Sequence, residues 1–120
     1  MFPLRRGARR LTPERAHQRT AGHERAVLLD VREPHEWQAG HAPGAVHAPL
    51  SELAAGGGLP AAARNRPLVV ICRSGQRSRQ AARLLRAHGA QAVDVKGGMN
   101  AWAVAGLPVV DAHGNSGSIA

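Results

Sequence analysis

The sequence predicts an α/β protein in which a parallel sheet is covered by helices on both faces. Short, nearly continuous apolar runs alternate with segments that have helical hydrophobic periodicity, which is the pattern of βαβ units. The chain has 120 residues, 43% of them hydrophobic and 20% charged, enough for one domain with a real core. This composition excludes fibrous and wholly disordered proteins, and no apolar run is long enough to span a membrane.

The first half of the chain is predicted to hold one helix and two strands. Thr12 is a good N-cap and Pro13 suits the first helical position, so a helix begins there and should end near Gly22. A buried strand is predicted over 26–31, where the chain is almost continuously apolar. A weaker strand is predicted over 44–49.

The second half begins with the strongest strand of the chain, predicted over 67–71. A helix follows over 78–88, because its apolar residues share one face and Gly89 provides a stop. A last strand is predicted over 92–95 and a short helix over 100–105.

Positive charge is concentrated in residues 1–25, with seven arginines and two acids, and in residues 64–86. The formal net charge is +8, and residues 64–86 carry seven arginines and no acid. The sequence is divided into a basic arm over 1–10, a domain over 11–110 and a flexible, Gly- and Ser-rich tail over 111–120. The region 64–86 suggests an anion site. Nucleic acid is not expected as a partner, because the chain has no Tyr, one Phe and two Trp to stack on bases.

The chain contains one cysteine, Cys72. A single cysteine excludes a disulfide framework and any cysteine-clustered metal site, and it favours a reducing, cytoplasmic location. No metal and no cofactor are expected, because His35, His41 and His47 lie six residues apart, which is not a helical ligand spacing. Cys72 directly follows the predicted strand 67–71, at the edge of a parallel sheet where ligands bind.

The segment after Cys72 has the features of an activated thiol site. Gly75 allows a tight turn that directs successive backbone N–H groups toward the sulfur. The following helix contributes partial positive charge at its start, and Arg73 and Arg77 contribute two full charges. All of these favour the thiolate, so the nucleophile needs no histidine base. An inert buried cysteine is the alternative, but arginines and a glycine turn do not suit one.

Four motifs occur in order along the chain. They are LLDVRE at 28–33, GHAPGA at 40–45, CRSGQRS at 72–78 and GGMNAW at 97–102. Together they resemble the single-domain rhodanese-like (thiosulfate sulfurtransferase) family over residues 11–110. The resemblance implies a three-layer α/β/α fold with a central, mostly parallel five-stranded sheet. The strand not identified above would be a very short segment near Arg10 and Leu11.

The same resemblance implies a sulfurtransferase in which Cys72 carries the sulfur. Its thiolate would attack the outer sulfur of an anionic donor such as thiosulfate, and sulfite would leave a persulfide on Cys72. Cyanide or a thiol, including a thiol of a partner protein, would then accept that sulfur. Arg77 is expected to bind two donor oxygens at once, and Arg73 to assist. The predicted substrate-binding residues are Arg73, Ser74, Gly75, Gln76, Arg77 and Ser78.

Further residues are expected to support the site rather than to react. Asp30 is predicted to pair with an arginine or with backbone N–H groups near the loop. His41 is predicted to be a hydrogen-bonding turn residue rather than a base. Gly97 and Gly98 should let the backbone pass close to the loop. Arg32, which leaves the same strand as Asp30, completes this supporting set.

Three other functions stay open at this point. A cysteine phosphatase or arsenate reductase also uses a thiolate in a backbone cradle. Its pattern places five residues between Cys and Arg, whereas four separate Cys72 from Arg77, which suits a sulfur atom better than a phosphate. A non-catalytic rhodanese-like binding module would usually lack the cysteine. A sulfur relay to a partner protein would use the same loop chemistry.

Overall fold

The computed structural model describes residues 10–22 and 25–120. Of the predicted basic arm, only Arg10 is among them, and residues 1–9 lie outside the described residues. The described helices are α1 (Pro13–Thr20), α2 (Pro34–Ala39), α3 (Leu50–Ala54), α4 (Gln76–Ala87) and α5 (Gly98–Val104), with a short 3₁₀ turn at Ala61–Ala63. None of these helices is long and apolar enough to cross a lipid bilayer.

The described strands form one parallel sheet. They are β1 (Val27–Asp30), β2 (Val46–His47), β3 (Leu68–Ile71) and β4 (Ala92–Asp94), in the order β2-β1-β3-β4. The central strands β1 and β3 are buried at every position, as their continuous apolar sequences require. The carboxyl ends of β3 and β4 therefore lie side by side, which places the residues after them at one edge.

The predicted fifth strand is not formed. Leu11 makes a single parallel bridge to Val95 beyond the end of β4. Its N–H donates to the Asp94 carbonyl at 2.9 Å and its carbonyl accepts from Lys96 at 2.8 Å. The pairing stops there because Thr12 caps α1, and the chain turns into that helix at the next residue. The sheet of the described residues has four strands, with this bridge in the place of the fifth.

Both faces of the sheet are covered, which confirms the three-layer α/β/α prediction. Leu29 and Val70 belong to one buried cluster, together with residues of α3 and α4. Leu28 and Val69 belong to a second cluster, together with residues of α1 and α5. Successive strand residues thus point to opposite layers, as expected for a sheet buried on both sides.

Two helices begin earlier than predicted. Gly75 has φ 104° and Gly97 has φ 80°, and each directly precedes a helix, α4 and α5 respectively. A left-handed glycine lets the chain enter the helix without a polar N-cap, so the usual sequence signal for the start is missing. The helices α2 and α3 were not predicted. With 6 and 5 residues, they are too short to show a hydrophobic period.

Residues 111–120 follow a hydrogen-bonded path in the structure. Val110 forms antiparallel bridges with His41 and with Ser116, and the Ser118 N–H donates to the Ala39 carbonyl at 3.0 Å. The flexibility predicted for this tail stays a prediction, but its backbone has defined partners on the main domain.

Candidate active site

Cys72 lies at the carboxyl end of β3 and is 1% exposed. The four residues 72–75 connect β3 to α4. A Cβ atom at Gly75 would lie 2.9 Å from the Arg10 guanidinium and 3.1 Å from the Gly97 nitrogen. Glycine is therefore favoured here both by the left-handed backbone and by the close approach of the Gly97 backbone.

Among the described residues, two groups make hydrogen bonds with the sulfur of Cys72. The Gly75 N–H donates to Sγ at 3.1 Å, and the thiol itself donates to the Ser78 hydroxyl at 3.4 Å. Both residues belong to the predicted cradle, and Ser78 is completely buried in the first turn of α4. Among the other loop residues, Arg73, Ser74 and Gln76 are exposed to solvent. Their binding of a substrate stays a prediction.

A carboxylate and an arginine outside the predicted site extend these contacts. Ser78 Oγ donates to Asp94 Oδ2 at 2.9 Å. Arg10 donates to both oxygens of Asp94, through Nε at 3.1 Å and Nη2 at 3.0 Å, and its Nη2 also donates to the Gly75 carbonyl at 2.8 Å. The one sequence signal for Asp94 is an acid within the apolar strand segment 92–95. No sequence pattern around Arg10 indicates that it belongs to the site.

The Arg77 guanidinium is bound to a carboxylate of the protein. Nη1 and Nη2 donate to the two carboxylate oxygens of Glu36, at 2.6 and 2.8 Å. The hydrogen bond from Arg77 lowers the pKa of Glu36 from 4.5 to about 2, although burial opposes the shift. The same hydrogen bond raises the pKa of Arg77, with smaller contributions from the charges of Glu36 and Cys72. The two nitrogens expected to bind donor oxygens are thus placed on Glu36 instead.

Arg73 has a different environment from Arg77. Its Nε donates to the Ala120 carbonyl at 2.8 Å, at the end of the C-terminal segment. No described residue makes a hydrogen bond or ion pair with its terminal nitrogens. Of the two loop arginines, Arg73 is therefore the one whose terminal nitrogens are not bound to another described residue.

The Rhodanese-like domain family model matches residues 12–105. This chain belongs to the rhodanese-like family. It is 35% identical over 102 residues to a protein named sulfurtransferase from Allochromatium vinosum, covering 84% of this chain and 94% of that protein. It is 37% identical over 83 residues to the uncharacterized protein YqhL from Bacillus subtilis, covering 68% of this chain and 64% of that protein.

A solved structure of a rhodanese-related protein from Thermoplasma volcanium superposes with a TM-score of 0.72 at 32% identity, covering 86% of this chain and 98% of that one. The comparison supports both the fold and the membership of this chain in the family.

In this rhodanese-like domain, Asp30 forms the predicted pair with an arginine. Its partner is Arg32, which donates through Nε and Nη2 at 2.8–3.1 Å, and both side chains are fully buried. Nη2 of Arg32 also donates to the Gly40 carbonyl at 2.6 Å. The pair therefore joins the end of β1 to the turn after α2. Its importance for activity stays a prediction.

His41 is a hydrogen-bonding residue of its turn, as predicted, and its partner lies in the preceding helix α2. Its Nδ1 lies 2.7 Å from the Trp37 carbonyl, and its ring stacks on the Trp37 indole with centroids 3.6 Å apart. His47 stacks on the same indole at 4.7 Å. Among residues 10–22 and 25–120, no group of three or more His, Cys, Asp or Glu side chains is arranged to hold a metal ion.

The predicted close approach of Gly97 and Gly98 to the loop is confirmed. A Cβ atom at Gly98 would lie 2.7 Å from both the carbonyl carbon and the carbonyl oxygen of Arg73. The first N–H groups of α5 also bind the loop, since Met99 donates to the Cys72 carbonyl at 2.7 Å. The helix thereby holds the backbone of the cysteine itself.

Proposed function

We propose that this rhodanese-like domain is a sulfurtransferase that carries a sulfane sulfur as a persulfide on Cys72. The observation that carries the proposal is the sulfur held between the Gly75 N–H, at 3.1 Å, and the Ser78 hydroxyl, at 3.4 Å, where β3 passes into α4. The Gly75 N–H donates to the sulfur, and such a donor together with a helix N-terminus stabilises negative charge on sulfur. The Allochromatium relative, named sulfurtransferase, supports this class of reaction.

The proposed reaction has two displacements at sulfur. The Cys72 thiolate attacks the outer sulfur of thiosulfate, a new S–S bond forms, and sulfite leaves with the electron pair of the broken S–S bond. An acceptor then attacks the outer sulfur of the persulfide and releases the Cys72 thiolate. With cyanide the product is thiocyanate, and with a thiolate it is a new persulfide. The Gly75 N–H, and the Ser78 hydroxyl once its hydrogen turns from Asp94 to the sulfur, would stabilise the sulfur anion that starts and ends the cycle.

Donor binding is assigned mainly to Arg73. Its terminal nitrogens have no partner among the described residues, and a guanidinium binds two oxygens of an oxyanion with parallel hydrogen bonds. Arg77 is held on Glu36 and adds positive potential without giving up that pair. Ser74 and Gln76 of the same loop are exposed to solvent and can take part in donor binding. A small anion would therefore find the Arg73 guanidinium available to bind two of its oxygens, and the positive charge of Arg77 held in place by Glu36.

The acceptor in this proposal is an external one. The chain has one cysteine, so no second thiol of its own can resolve the persulfide. A small thiol or a thiol of a partner protein would take the sulfur, and a reducing cytoplasmic location suits that exchange. A sulfur relay is the form of this proposal in which the acceptor is a protein.

The proposal is tested by intact mass spectrometry after incubation with thiosulfate. We expect the mass of one added sulfur atom, and its loss when cyanide is added with formation of thiocyanate. The Cys72→Ser variant is the matched control and should gain no mass. A wild-type domain that takes up no sulfur from thiosulfate or from another sulfane donor would overturn the proposal.

A further inference from the structure

A continuous chain of hydrogen bonds leads from the sulfur to the protein surface. It runs from Cys72 through Ser78 and Asp94 to Arg10. Ser78 and Asp94 are buried, whereas the Arg10 side chain is 29% exposed. Arg10 also precedes the segment matched by the family model, which begins at residue 12.

The hydroxyl of Ser78 has a single hydrogen and cannot donate in two directions at once. In the structure it donates to Asp94, so that its oxygen accepts from the Cys72 thiol. A thiolate, or the Sγ atom of a persulfide, has no hydrogen to offer. To bind either species, Ser78 must turn its hydrogen from Asp94 to the sulfur, and Asp94 then loses one donor. The state of the sulfur thus determines which way the hydroxyl points.

Arg10 reduces the unfavourable effect of this turn on Asp94. It donates separately to Oδ1 and Oδ2, so the buried carboxylate keeps two charge-assisted hydrogen bonds after Ser78 turns away. The same guanidinium donates to the carbonyl of Gly75, whose N–H is the other donor to the sulfur. Arg10 is thereby connected to both groups that contact Sγ.

We propose that Asp94 and Arg10 are positioning residues that release the Ser78 hydroxyl to the sulfur when Cys72 becomes anionic. Without Arg10, the buried carboxylate of Asp94 would hold the Ser78 hydrogen more strongly, and the thiolate would lose a donor. The inference deepens the proposed function, because the same turn would stabilise each anionic sulfur of the transfer cycle. Its first part concerns only thiol reactivity and needs no sulfur donor.

The test is a double-mutant cycle read out by alkylation of the single cysteine with iodoacetamide at one fixed pH. We expect Arg10→Ala to slow alkylation roughly three- to ten-fold, the effect of weakening one hydrogen bond to sulfur. In the Ser78→Ala background the same change should alter the rate less than about two-fold, because the hydroxyl that transmits it is gone. Arg10→Lys, which keeps one donor and the charge, should lie between Arg10→Ala and wild type.

The control is Arg83→Ala, which removes one exposed positive charge from α4 without touching this chain of contacts. Its alkylation rate should stay close to that of wild type. An equal slowing by Arg10→Ala with and without Ser78 would mean that Arg10 acts through its charge, and would overturn the inference. An unchanged rate in Arg10→Ala would also overturn it, once circular dichroism shows that the variants are folded.

The same variants separate this inference from the proposed function. A protein that shows the coupling between Arg10 and Ser78 but takes up no sulfur would retain the inference and lose the proposed function. A protein that takes up sulfur but shows no coupling would retain the function and lose the inference. In a protein that shows both, Arg10→Ala should also slow sulfur uptake from thiosulfate by a factor similar to its effect on alkylation.

Discussion

The Arg77 guanidinium and the Glu36 carboxylate are joined by two hydrogen bonds, of 2.6 and 2.8 Å, across 41 residues of sequence. Glu36 lies in α2 and Arg77 in the first turn of α4, so the pair fixes the helix that begins at the cysteine loop. Only 8% of the Glu36 side chain is exposed, whereas 34% of Arg77 is. An arginine of the predicted substrate cradle thus has a structural partner of its own.

Replacing Cys72, the proposed nucleophile, should abolish sulfur transfer without unfolding the domain. We expect Cys72→Ser to lose thiosulfate:cyanide sulfurtransferase activity, because a serine hydroxyl does not form a stable persulfide analogue. Steady-state thiocyanate production measures the effect, and thermal unfolding checks the fold. The control is Arg83→Ala, which should retain activity. Substantial turnover by the serine variant would refute the role of Cys72.

The two loop arginines should respond differently to lysine. Arg73→Lys keeps the charge but cannot form the two parallel hydrogen bonds proposed between Arg73 and the donor. Its KM for thiosulfate should therefore rise. The loss of one charge-assisted hydrogen bond, roughly 1.5–3 kcal/mol, corresponds to about ten-fold or more. Arg77→Lys should change KM less and lower the free energy of unfolding, since lysine cannot bind both oxygens of Glu36.

Steady-state kinetics measure the KM for thiosulfate of the two variants, and urea unfolding measures their free energies of unfolding. The control is Arg79→Lys, at an exposed position. A larger KM increase in Arg77→Lys would show that the arginine leaves Glu36 to bind the donor. Donor binding would then be assigned to Arg77 rather than to Arg73.

The Glu36–Arg77 pair should make stability depend on acid pH. The pKa of Glu36 is lowered from 4.5 to about 2 in the folded protein, so the unfolded chain takes up the proton first as the pH falls. The stabilisation is therefore complete above the unfolded value and is lost as the pH falls through about 2. Because Arg77 is one-third exposed, we expect about 1–2 kcal/mol at neutral pH.

The measurement compares urea unfolding of wild type and Glu36→Gln across this pH range. The difference in unfolding free energy should be largest at neutral pH and should shrink between about pH 4.5 and about pH 2. A difference that stays constant with pH would mean that the effect of the substitution does not come from the carboxylate charge.

Gly98 should be much less tolerant of substitution than another glycine of positive φ. It has φ +58°, and an added Cβ would lie 2.7 Å from the carbonyl carbon of Arg73. Gly98→Ala should therefore destabilise the domain by more than about 2 kcal/mol and disturb the loop. At Gly106, φ is +77° with nothing within 4 Å, so Gly106→Ala should show only the backbone strain of about 1 kcal/mol. Equal losses would exclude the contact with the loop as the cause.

The loop should not hydrolyse phosphate esters. Four residues separate Cys72 from Arg77, one fewer than in the phosphatase pattern, and the Arg77 fork is bound to Glu36. A tetrahedral phosphate would therefore lack both room and its usual arginine. We expect negligible turnover of an aryl phosphate in a standard colorimetric assay. A rate comparable to sulfur transfer would favour the phosphatase alternative.

The parts of this protein that follow from local sequence were predictable. The strands β1 and β3 are continuous apolar runs, and the loop from Cys72 to Gly75 carries its chemistry in adjacent residues. The partners Glu36, Asp94 and Arg10 were not predicted as part of the site. Each contacts the loop or its helix across 16–65 residues of sequence. Contacts between residues so far apart produce no local sequence pattern from which they could be predicted.

The burial of Cys72 determines which atom another molecule can touch. Its side chain is 1% exposed, so the unloaded sulfur is poorly accessible to disulfides and other bulky oxidants. In the proposed cycle, the transferred sulfur stands one S–S bond, about 2 Å, farther out than Sγ. An acceptor would then reach the outer sulfur of the persulfide before it reaches Sγ of Cys72. The burial of this one side chain would thus protect the protein without bound sulfur from mixed disulfides. It would still allow the persulfide form to transfer its outer sulfur to an acceptor.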